Sequence, residues 1–364
     1  MLKFDTHLLY SVLQNAESFM MIHIENLRSL IHRFANTTVL VIGDVIIDEY
    51  IWGKVSRISP EAPVPILDVV SESQRLGGAA NVIHNLHALG GIPLLCSVVG
   101  KDRNGETLTE ALRAIGVSTE GIVIDPTRPT TIKTRMIANH QQVARLDRES
   151  REDISEEITQ RIIGTITRLL PQTDAIIIED YGKGVVTEEL VQAVVSLAQQ
   201  HGKIVAVDPK TNYFSRYNGV SVLTPNHHEA GAALHMTLHT HDDLLFAGKQ
   251  LLENLTCAYV LITRGEEGMS LFEQQSQMVT HVPTMAHEVY DVTGAGDTVI
   301  AALTLGLAAG GNPVDAVLVS NAAAGVVVGK IGTATVNQQE LETEFAKMTR
   351  RELDIRRERL MIDD

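Results

Sequence analysis

The residue best placed to do chemistry is Asp297. It closes the run of residues 291–297, DVTGAGD, and an Ala- and Leu-rich segment typical of a helix follows it. A helix N-terminus leaves backbone N–H groups unpaired and carries partial positive charge, which suits it to phosphate oxygens. The small residues Gly294, Ala295 and Gly296 would let such a ligand approach the backbone closely. A carboxylate in that first turn can accept a proton from an attacking hydroxyl. Taken alone, however, the run fits a tight turn with an acidic helix start better.

Two common phosphate-binding motifs are absent from the sequence. The P-loop needs Gly-x-x-x-x-Gly-Lys-Ser/Thr, and the dinucleotide fingerprint needs Gly-x-Gly-x-x-Gly after the first strand. Neither pattern occurs in the 364 residues. Any phosphate chemistry at Asp297 must therefore use a different framework.

The elements that must position Asp297 alternate between short apolar runs and helical stretches. The runs predict buried parallel strands, because each is short, rich in β-branched residues and closed by acids, glycine or proline. They cover residues 39–42, 175–178, 204–207, 222–223 and 259–262, and segments such as 188–200 and 244–254 have a helical period. This alternation predicts one α/β domain with a mostly parallel sheet covered by helices on both faces. Ligands collect at the carboxyl ends of such strands.

Four segments depart from this alternation. Residues 50–70 and 122–147 are rich in Val, Ile and Thr without a helical period, so we interpret them as a small β-sheet lid, although ordinary surface hairpins explain the pattern equally well. Residues 1–36 have the apolar spacing of one or two amphipathic helices and are predicted to be an appended helical extension. Residues 346–364 are predicted to be a charged tail, which leaves residues 37–345 as the main domain.

Composition narrows the classes of function. A formal net charge of −15 argues against nucleic-acid binding, which needs clustered Lys and Arg. No apolar stretch is long enough to span a bilayer, and the first residues lack a signal-peptide layout, so no membrane association is expected. Cys96 and Cys257 lie far apart in apolar runs and predict neither a disulfide framework nor a zinc site. A reducing cytoplasm fits best.

The order of motifs along the chain resembles the ribokinase-like carbohydrate kinase family. The run 291–297 resembles the C-terminal signature of that family. Further resemblances follow in family order: GGAAN at 77–81 to the substrate-side glycine motif, NHHE at 226–229 to the Asn-x-x-Glu motif, and NAAA at 321–324 to the helix beside the adenine. The resemblance covers about residues 38–340. It implies a three-layer α/β/α fold with a small β-sheet lid.

The resemblance also implies roles in phosphoryl transfer from ATP. Asp297 is expected to be the catalytic base, and the amides of Gly294, Ala295 and Gly296 the anion hole. Asn226 and Glu229 are expected at a Mg²⁺ ion, although an N-capping turn after Pro225 also accounts for Asn226. The residues expected to border the nucleotide are Asn226, Thr263, Arg264, Gly265, Gly268 and Asn321. A monovalent cation such as K⁺ near Asp291 and Thr293 is a further implication, as is a homodimer formed through the lid.

On the sugar side, the resemblance implies hydroxyl recognition by the residues that follow the first strand and by the glycine motif. A single Asp after a strand is ordinarily a cap or turn residue, and only the family match raises Asp44 and Asp48 above that reading. These candidates are Asp44, Asp48, Gly77, Gly78 and Asn81. The cations that could hold a substrate phosphate are Arg57, Lys133, Arg135, Arg145 and Lys183, of which about half are expected to be ordinary surface charges.

Within the family, residues 56–65, SRISPEAPVP, resemble the heptose 7-phosphate kinases of lipopolysaccharide core synthesis. In many bacteria this kinase is fused to a nucleotidyltransferase domain with a His-x-Gly-His motif, which this sequence lacks. The implied reaction is phosphorylation of D-glycero-β-D-manno-heptose 7-phosphate at C1. One alternative is a kinase of another sugar, sugar phosphate or nucleoside. The other is an inactive sugar-binding regulator.

Fourteen histidines occur, and three of them lie close together at His235, His239 and His241. Helical spacing could bring the first pair together as metal ligands. No third ligand stands at a defined offset, and a polar loop at a helix end explains the cluster without metal.

Overall fold

The computed structural model describes residues 23–138, 141–210, 214–348 and 354–360. The strands are β1 Thr38–Gly43, β2 Val45–Ile58, β3 Pro65–Gly78, β4 Ile92–Gly100, β5 Ile122–Asp125, β6 Ile132–Ala138, β7 Gln141–Arg148, β8 Ala175–Glu179, β9 Ile204–Asp208, β10 Val222–Leu223, β11 Tyr259–Thr263, β12 Met269–Glu273, β13 Met278–Val282 and β14 Arg356–Arg359. The helices are α1 Ile24–Arg33, α2 Ala79–Ala88, α3 Arg103–Ala114, α4 Glu156–Leu169, α5 Glu188–Gln200, α6 His227–Ala233, α7 His241–Leu255, α8 Ala295–Ala308, α9 Pro313–Val327 and α10 Gln338–Met348.

Ten strands form the large sheet in the order β14-β13-β12-β11-β10-β9-β8-β1-β4-β5. The seven from β11 to β5 run parallel, whereas β12, β13 and β14 add antiparallel pairs at one edge. The predicted mostly parallel sheet is confirmed. Because β1, β8 and β9 are neighbours, their carboxyl ends bring Gly43, Glu179 and Asp208 to one edge.

Two apolar cores cover the two faces of this sheet. Along β1, Val39 and Val41 belong to the core that includes α1, α2, α8 and α9, whereas Leu40 and Ile42 belong to the core that includes α4, α5 and α7. Alternate side chains of a strand point to opposite faces, so both faces are buried under helices. The three-layer architecture follows.

The small sheet has the order β3-β2-β6-β7. The long hairpin β2-β3 starts in the buried body and ends in an exposed turn, where the Ser59 N–H donates to the Val64 carbonyl. The distinctive run 56–65 therefore lies at the exposed tip. The prediction that the lid includes residues 122–125 was wrong, because these residues form β5 and pair with β4 in the large sheet.

The predicted helical extension is part of the core where the structure describes it. Leu27, Leu30 and Ile31 of α1 are at most 1 % exposed and pack with α9 and α10. Residues 1–22 of the predicted extension lie outside the described residues. The predicted helix is present, and because α1 buries its apolar face as a core helix does, this part of the extension packs with the main domain.

The prediction that residues 346–364 form a charged tail was also wrong in part. Within it, β14 pairs antiparallel with β13 and becomes the edge strand of the large sheet. Its sequence, RRER, carries no apolar alternation, so pattern analysis could not detect it. Among the described residues, no helix is both long and apolar enough to cross a membrane.

Candidate active site

Asp297 lies in the first turn of α8, at the carboxyl edge of the large sheet, and is 2 % exposed. Both of its oxygens accept a hydrogen bond. The Asn81 amide donates to Oδ2 over 2.6 Å, and the Tyr181 hydroxyl donates to Oδ1 over 2.8 Å. The carboxylate is therefore fixed in orientation while one edge faces a cavity.

Burial raises the pKa of Asp297 to about 6, because a charged carboxylate loses its hydration there. The bonds from Asn81 and Tyr181 oppose the shift, and the nearby Asp48 charge adds to it. A carboxyl with a pKa near 6 is a stronger base than an exposed one yet remains ionised at neutral pH. The site thus suits proton abstraction.

A chain of buried amides holds Asn81 in place. The Asn85 amide donates to the Asn81 carbonyl over 3.0 Å, and the Thr298 hydroxyl donates to Asn85 Oδ1 over 3.0 Å. Sequence analysis assigned Asn81 to substrate binding. The structure instead buries Asn81 completely and directs its amide onto Asp297, so the assignment is corrected to orientation of the Asp297 carboxylate.

Tyr181 was not assigned a role from sequence, and its replacement gives a first prediction. Burial raises its pKa well above the usual value, so the hydroxyl stays protonated and donates to Asp297. In Tyr181→Phe the ionised form of Asp297 loses this hydrogen bond, which stabilises it by about 1.5 kcal/mol. The pKa of Asp297 should rise, so activity should fall away at higher pH than in wild type. We expect the acid limb of the kcat/KM profile to move upward by about one pH unit.

The matched control for this prediction is Tyr50→Phe. The Tyr50 hydroxyl is buried without a hydrogen-bond partner, so its removal should leave the acid limb in place. An unmoved limb in Tyr181→Phe would contradict the positioning of Asp297 by Tyr181.

The loop before α8 forms the predicted anion hole only in part. Gly294 is the N-cap at φ +78° and no side chain caps the helix, which leaves N–H groups available for a ligand. Ala295 is an exception, because its N–H donates to the Val292 carbonyl over 3.2 Å. The structure therefore leaves the amides of Gly294 and Gly296 as the predicted donors, and both residues line the cavity beside Asp297.

That cavity, of about 190 Å³, is lined mainly by acids and small residues. Carboxylate oxygens of Glu179, Asp208 and Asp297 lie within 4.8 Å of one another. Both Glu179 oxygens are buried without a hydrogen-bond partner. Burial and the neighbouring Asp208 charge raise the pKa of Glu179 well above its usual value. Such a cluster needs a proton or a cation to be stable.

Asp44 does not face this space as a sugar ligand would. Its Oδ2 accepts from the N–H groups of Tyr181 and Lys183, both over 2.9 Å, and its Oδ1 accepts from Val185 N–H over 3.1 Å. The prediction that it binds sugar hydroxyls is corrected, since the carboxylate instead organises loop 181–185. Burial raises its pKa to about 6 against these bonds.

The Asp48 carboxylate also has a protein partner, because the Arg135 guanidinium donates a hydrogen bond to its Oδ1 over 2.5 Å. The two glycines beside it are needed for space. A Cβ at Gly77 would lie 2.2 Å from Asp48 Oδ2, and one at Gly78, where φ is +56°, would lie 2.4 Å from the Asp44 carbonyl oxygen. The two glycines thus let β3 approach β2 and the Asp44 carbonyl before it closely.

A second cavity, of about 530 Å³, lies on the other side of Tyr181 and is bordered by cations. Lys133, Arg145 and Lys183 line it as the sequence predicted, although Lys183 pairs with Glu149 at 2.8 Å and Arg145 with Asp147 at 2.9 Å. Lys210 lines both cavities and was missed. Arg57 lies on the exposed end of β2, outside both cavities, so the structure does not bring it to the others.

Comparison with known proteins decides the family. The family model described as "pfkB family carbohydrate kinase" matches residues 36–340. This chain belongs to the pfkB carbohydrate kinases. It is 46% identical over 317 residues to "Bifunctional protein HldE" of Pelobacter propionicus, covering 87% of this chain and 65% of that protein. The protein of the same name from Helicobacter pylori strain 26695 is 46% identical over 303 residues, with coverage of 83% and 65%. The chain thus spans about two thirds of the length of these relatives.

Solved structures share the ribokinase-like fold. Ribokinase of Arabidopsis thaliana, complexed with ribose and ATP, gives a TM-score of 0.69 at 18% identity, covering 85% of this chain and 98% of that one. Phosphofructokinase-2 of Escherichia coli gives 0.70 at 18% identity, with coverage of 86% and 99%, and another of its structures is in complex with potassium. The predicted fold class is confirmed.

For a pfkB kinase, the acidic cavity fits Mg²⁺. The ion prefers hard oxygen ligands and keeps much of its hydration, and the unpartnered Glu179 oxygens with Asp208 offer such ligands. Neither residue was predicted to bind metal. Their position in the sequence could have indicated this role, because each is the last residue of a parallel strand, at the edge of the sheet where ligands collect.

The predicted metal residues Asn226 and Glu229 form a capping box at the start of α6. Asn226 Oδ1 accepts the Glu229 N–H, and Glu229 Oε2 accepts the Asn226 N–H, both over 3.0 Å. Both still line the small cavity, so the capping interpretation and a role near the ion are compatible.

The predicted nucleotide residues of this kinase fall into two groups. Thr263 lines the acidic cavity, and Arg264 and Gly265 line a neighbouring one of about 660 Å³. Gly268 and Asn321 line neither of these cavities. A Cβ at Gly268 would lie 2.1 Å from the Val282 carbonyl oxygen, and the Asn321 amide donates to the Pro283 carbonyl over 2.7 Å.

Proposed function

We propose that this kinase transfers the γ-phosphoryl group of ATP to the anomeric hydroxyl of D-glycero-β-D-manno-heptose 7-phosphate, in the synthesis of the lipopolysaccharide core. The observation that supports this proposal most strongly is the position of Asp297. It is a buried carboxylate with a pKa raised to about 6, beside the acidic cavity at the start of α8 and linked through Tyr181 to the basic cavity.

In this proposal the base acts from a fixed position. Asn81 and Tyr181 hold the carboxylate while Asp297 accepts the proton of the attacking hydroxyl. The N–H groups of Gly294 and Gly296 stabilise charge on the transferred group at the helix N-terminus. Mg²⁺, held by Asp208 and Glu179 with Asn226 and Glu229 nearby, would neutralise charge on the ATP phosphates.

The basic cavity is proposed to hold the acceptor's own phosphate. Lys133 lies with its Nζ 5.1 Å from the centre of the Tyr181 ring, and its charge acts to lower the pKa of Asp297. Burial and the nearby Lys183 lower the pKa of Lys133, so this pair of like charges would gain from an anion between them. Lys210 lies where it can reach both phosphates.

The heptose acceptor is supported by the run 56–65 and by relatives at 46% identity that carry the name HldE. The nucleotide half of the site is common to kinases of other sugars, which remain the alternative acceptors. An inactive regulator is disfavoured, because Asp297 keeps both of its hydrogen-bond donors.

A coupled ADP-release assay tests the proposal. With ATP and Mg²⁺, the enzyme should prefer heptose 7-phosphate over fructose 6-phosphate, ribose and adenosine, each offered separately. A clear preference for another acceptor would remove the heptose assignment. No turnover with any of the four would favour the regulator.

The same assay tests the role of Lys133. Lys133→Met should raise KM for heptose 7-phosphate about tenfold, because one charge-assisted hydrogen bond is lost, and should leave KM for ATP unchanged. Lys203→Met is the matched control, since Lys203 precedes β9 at the opposite edge of the sheet and lines neither cavity, and we expect no change. Equal KM values in Lys133→Met and wild type would place the phosphate elsewhere.

Three further parts of the proposal concern assembly, location and ions. A homodimer through the small sheet is supported by exposed apolar side chains there, among them Val69, Val70 and Leu146 at 52 to 67 % exposure.

A K⁺ ion beside Asp291 would approach a carboxylate that already accepts hydrogen bonds from Thr293 and Gly332. We place the enzyme in the cytoplasm, where its nucleotide is abundant.

A further inference from the structure

His241, His281 and Glu358 are far apart in sequence and converge on one point. They lie outside the acidic cavity of Asp297 and the basic cavity, and His241 also lines the cavity of about 660 Å³ beside Arg264. The Nε2 atoms of His241 and His281 lie 2.7 and 2.8 Å from the same oxygen, Oε1 of Glu358. One residue opens α7, one lies on β13 and one on β14. The tertiary structure alone brings them together.

The imidazole of His281 is prepared for coordination. Its Nδ1 lies 2.8 Å from the Ser270 hydroxyl, which fixes the ring while Nε2 faces Glu358. Burial lowers the pKa of His281, and the neighbouring Glu358 carboxylate opposes this shift. A neutral imidazole with its second nitrogen held by a polar partner is the usual state of a histidine metal ligand.

We propose that His241, His281 and Glu358 bind a Zn²⁺ ion, or a similar transition metal, as a site separate from the catalytic cation. Two imidazole nitrogens and one carboxylate oxygen suit zinc and disfavour Mg²⁺, which prefers oxygen. The fourth position opens to solvent, because the His241 side chain is 52 % exposed. Arg264, the nearby cation that acts on His281, pairs with Glu267 at 3.1 Å.

The site would fasten the last strand to the body. Strand β14 holds only four residues at the sheet edge, and Glu358 is its link to the start of α7. A metal that binds this folded arrangement and not the unfolded chain raises stability in proportion to its concentration. The interpretation of His235, His239 and His241 as a polar loop without metal is revised for His241 alone, which meets residues from two strands.

The test uses the full chain, freed of metal and titrated with Co²⁺ in excess Mg²⁺ and without nucleotide. We expect one equivalent of Co²⁺ to bind with the visible absorption of a four-coordinate ion, and stoichiometric Zn²⁺ to displace it. The affinity should fall at least tenfold in His241→Ala and in Glu358→Gln. His201→Ala, at an exposed histidine whose Nδ1 contacts the Leu197 carbonyl, should bind as wild type does.

Failure of wild type to bind Co²⁺ or Zn²⁺ would overturn the proposal, as would equal binding in His241→Ala. Because His241 is exposed, its variant is expected to fold, and the metal-free unfolding temperature checks this. Kinase activity is not the readout, so the result is independent of the acceptor assignment.

Discussion

Asp297→Asn is expected to lower kcat by about two to four orders of magnitude, the usual contribution of a positioned general base. The amide keeps the size of the carboxylate and cannot accept the proton of the attacking hydroxyl. In wild type, kcat/KM should rise as pH passes through about 6, because only the ionised form of Asp297 is a base. The Asp297→Asn variant should lack this rise in kcat/KM. Steady-state rates of ADP release across pH 5 to 8 measure both effects.

The ATP affinity and the stability of Asp297→Asn provide the controls. ATP affinity should change little, because Asp297 is assigned to the acceptor hydroxyl. Stability should not fall severely, since burial already disfavours the charged carboxylate that the amide replaces. Near-normal turnover in a folded variant would remove Asp297 from the role of base.

Gly294→Ala is expected to lower kcat about a hundredfold through geometry alone. Gly294 has φ +78°, where a residue with a Cβ is strained, and that Cβ would lie 2.7 Å from Asn81 Nδ2. Relief requires Asn81 or the start of α8 to move, and either movement displaces a donor to Asp297 or to the phosphoryl group. Pre-steady-state rates should show the loss in the chemical step.

Gly164→Ala is the matched control. Gly164 lies within α4, and a Cβ there meets no atom within 4 Å. The substitution should leave kcat unchanged and stabilise the protein by about 0.5–1 kcal/mol, because alanine favours the helix. A Gly294→Ala enzyme of normal activity would contradict the tight packing of that loop against Asn81.

The local structure of the candidate site could be predicted from the sequence largely because its signal is local. The run 291–297 specifies a turn, a helix N-terminus and an acid within seven residues, and the apolar runs that end at Glu179 and Asp208 predict the parallel sheet. Each depends on neighbours in sequence, which propensity and periodicity describe well.

Other assignments failed because partners distant in sequence decided them. Asp44 looked free to bind a sugar, and only the fold brings the N–H groups of loop 181–185 onto it. Likewise Asn81 meets Asp297 across 216 positions. A carboxylate or amide in a sequence has no visible partner until the chain is folded.

By itself, then, the sequence determined the α/β class and the helix N-terminus at Asp297, the carboxylate that we propose as the base. The tertiary structure decided which side chains orient that base, which acids share its cavity and which cations line the second cavity. It also decided that β14 joins the sheet and that Glu358 meets two histidines. The physical reason is that strand order and edge pairing are set by packing between distant segments, which no local pattern records.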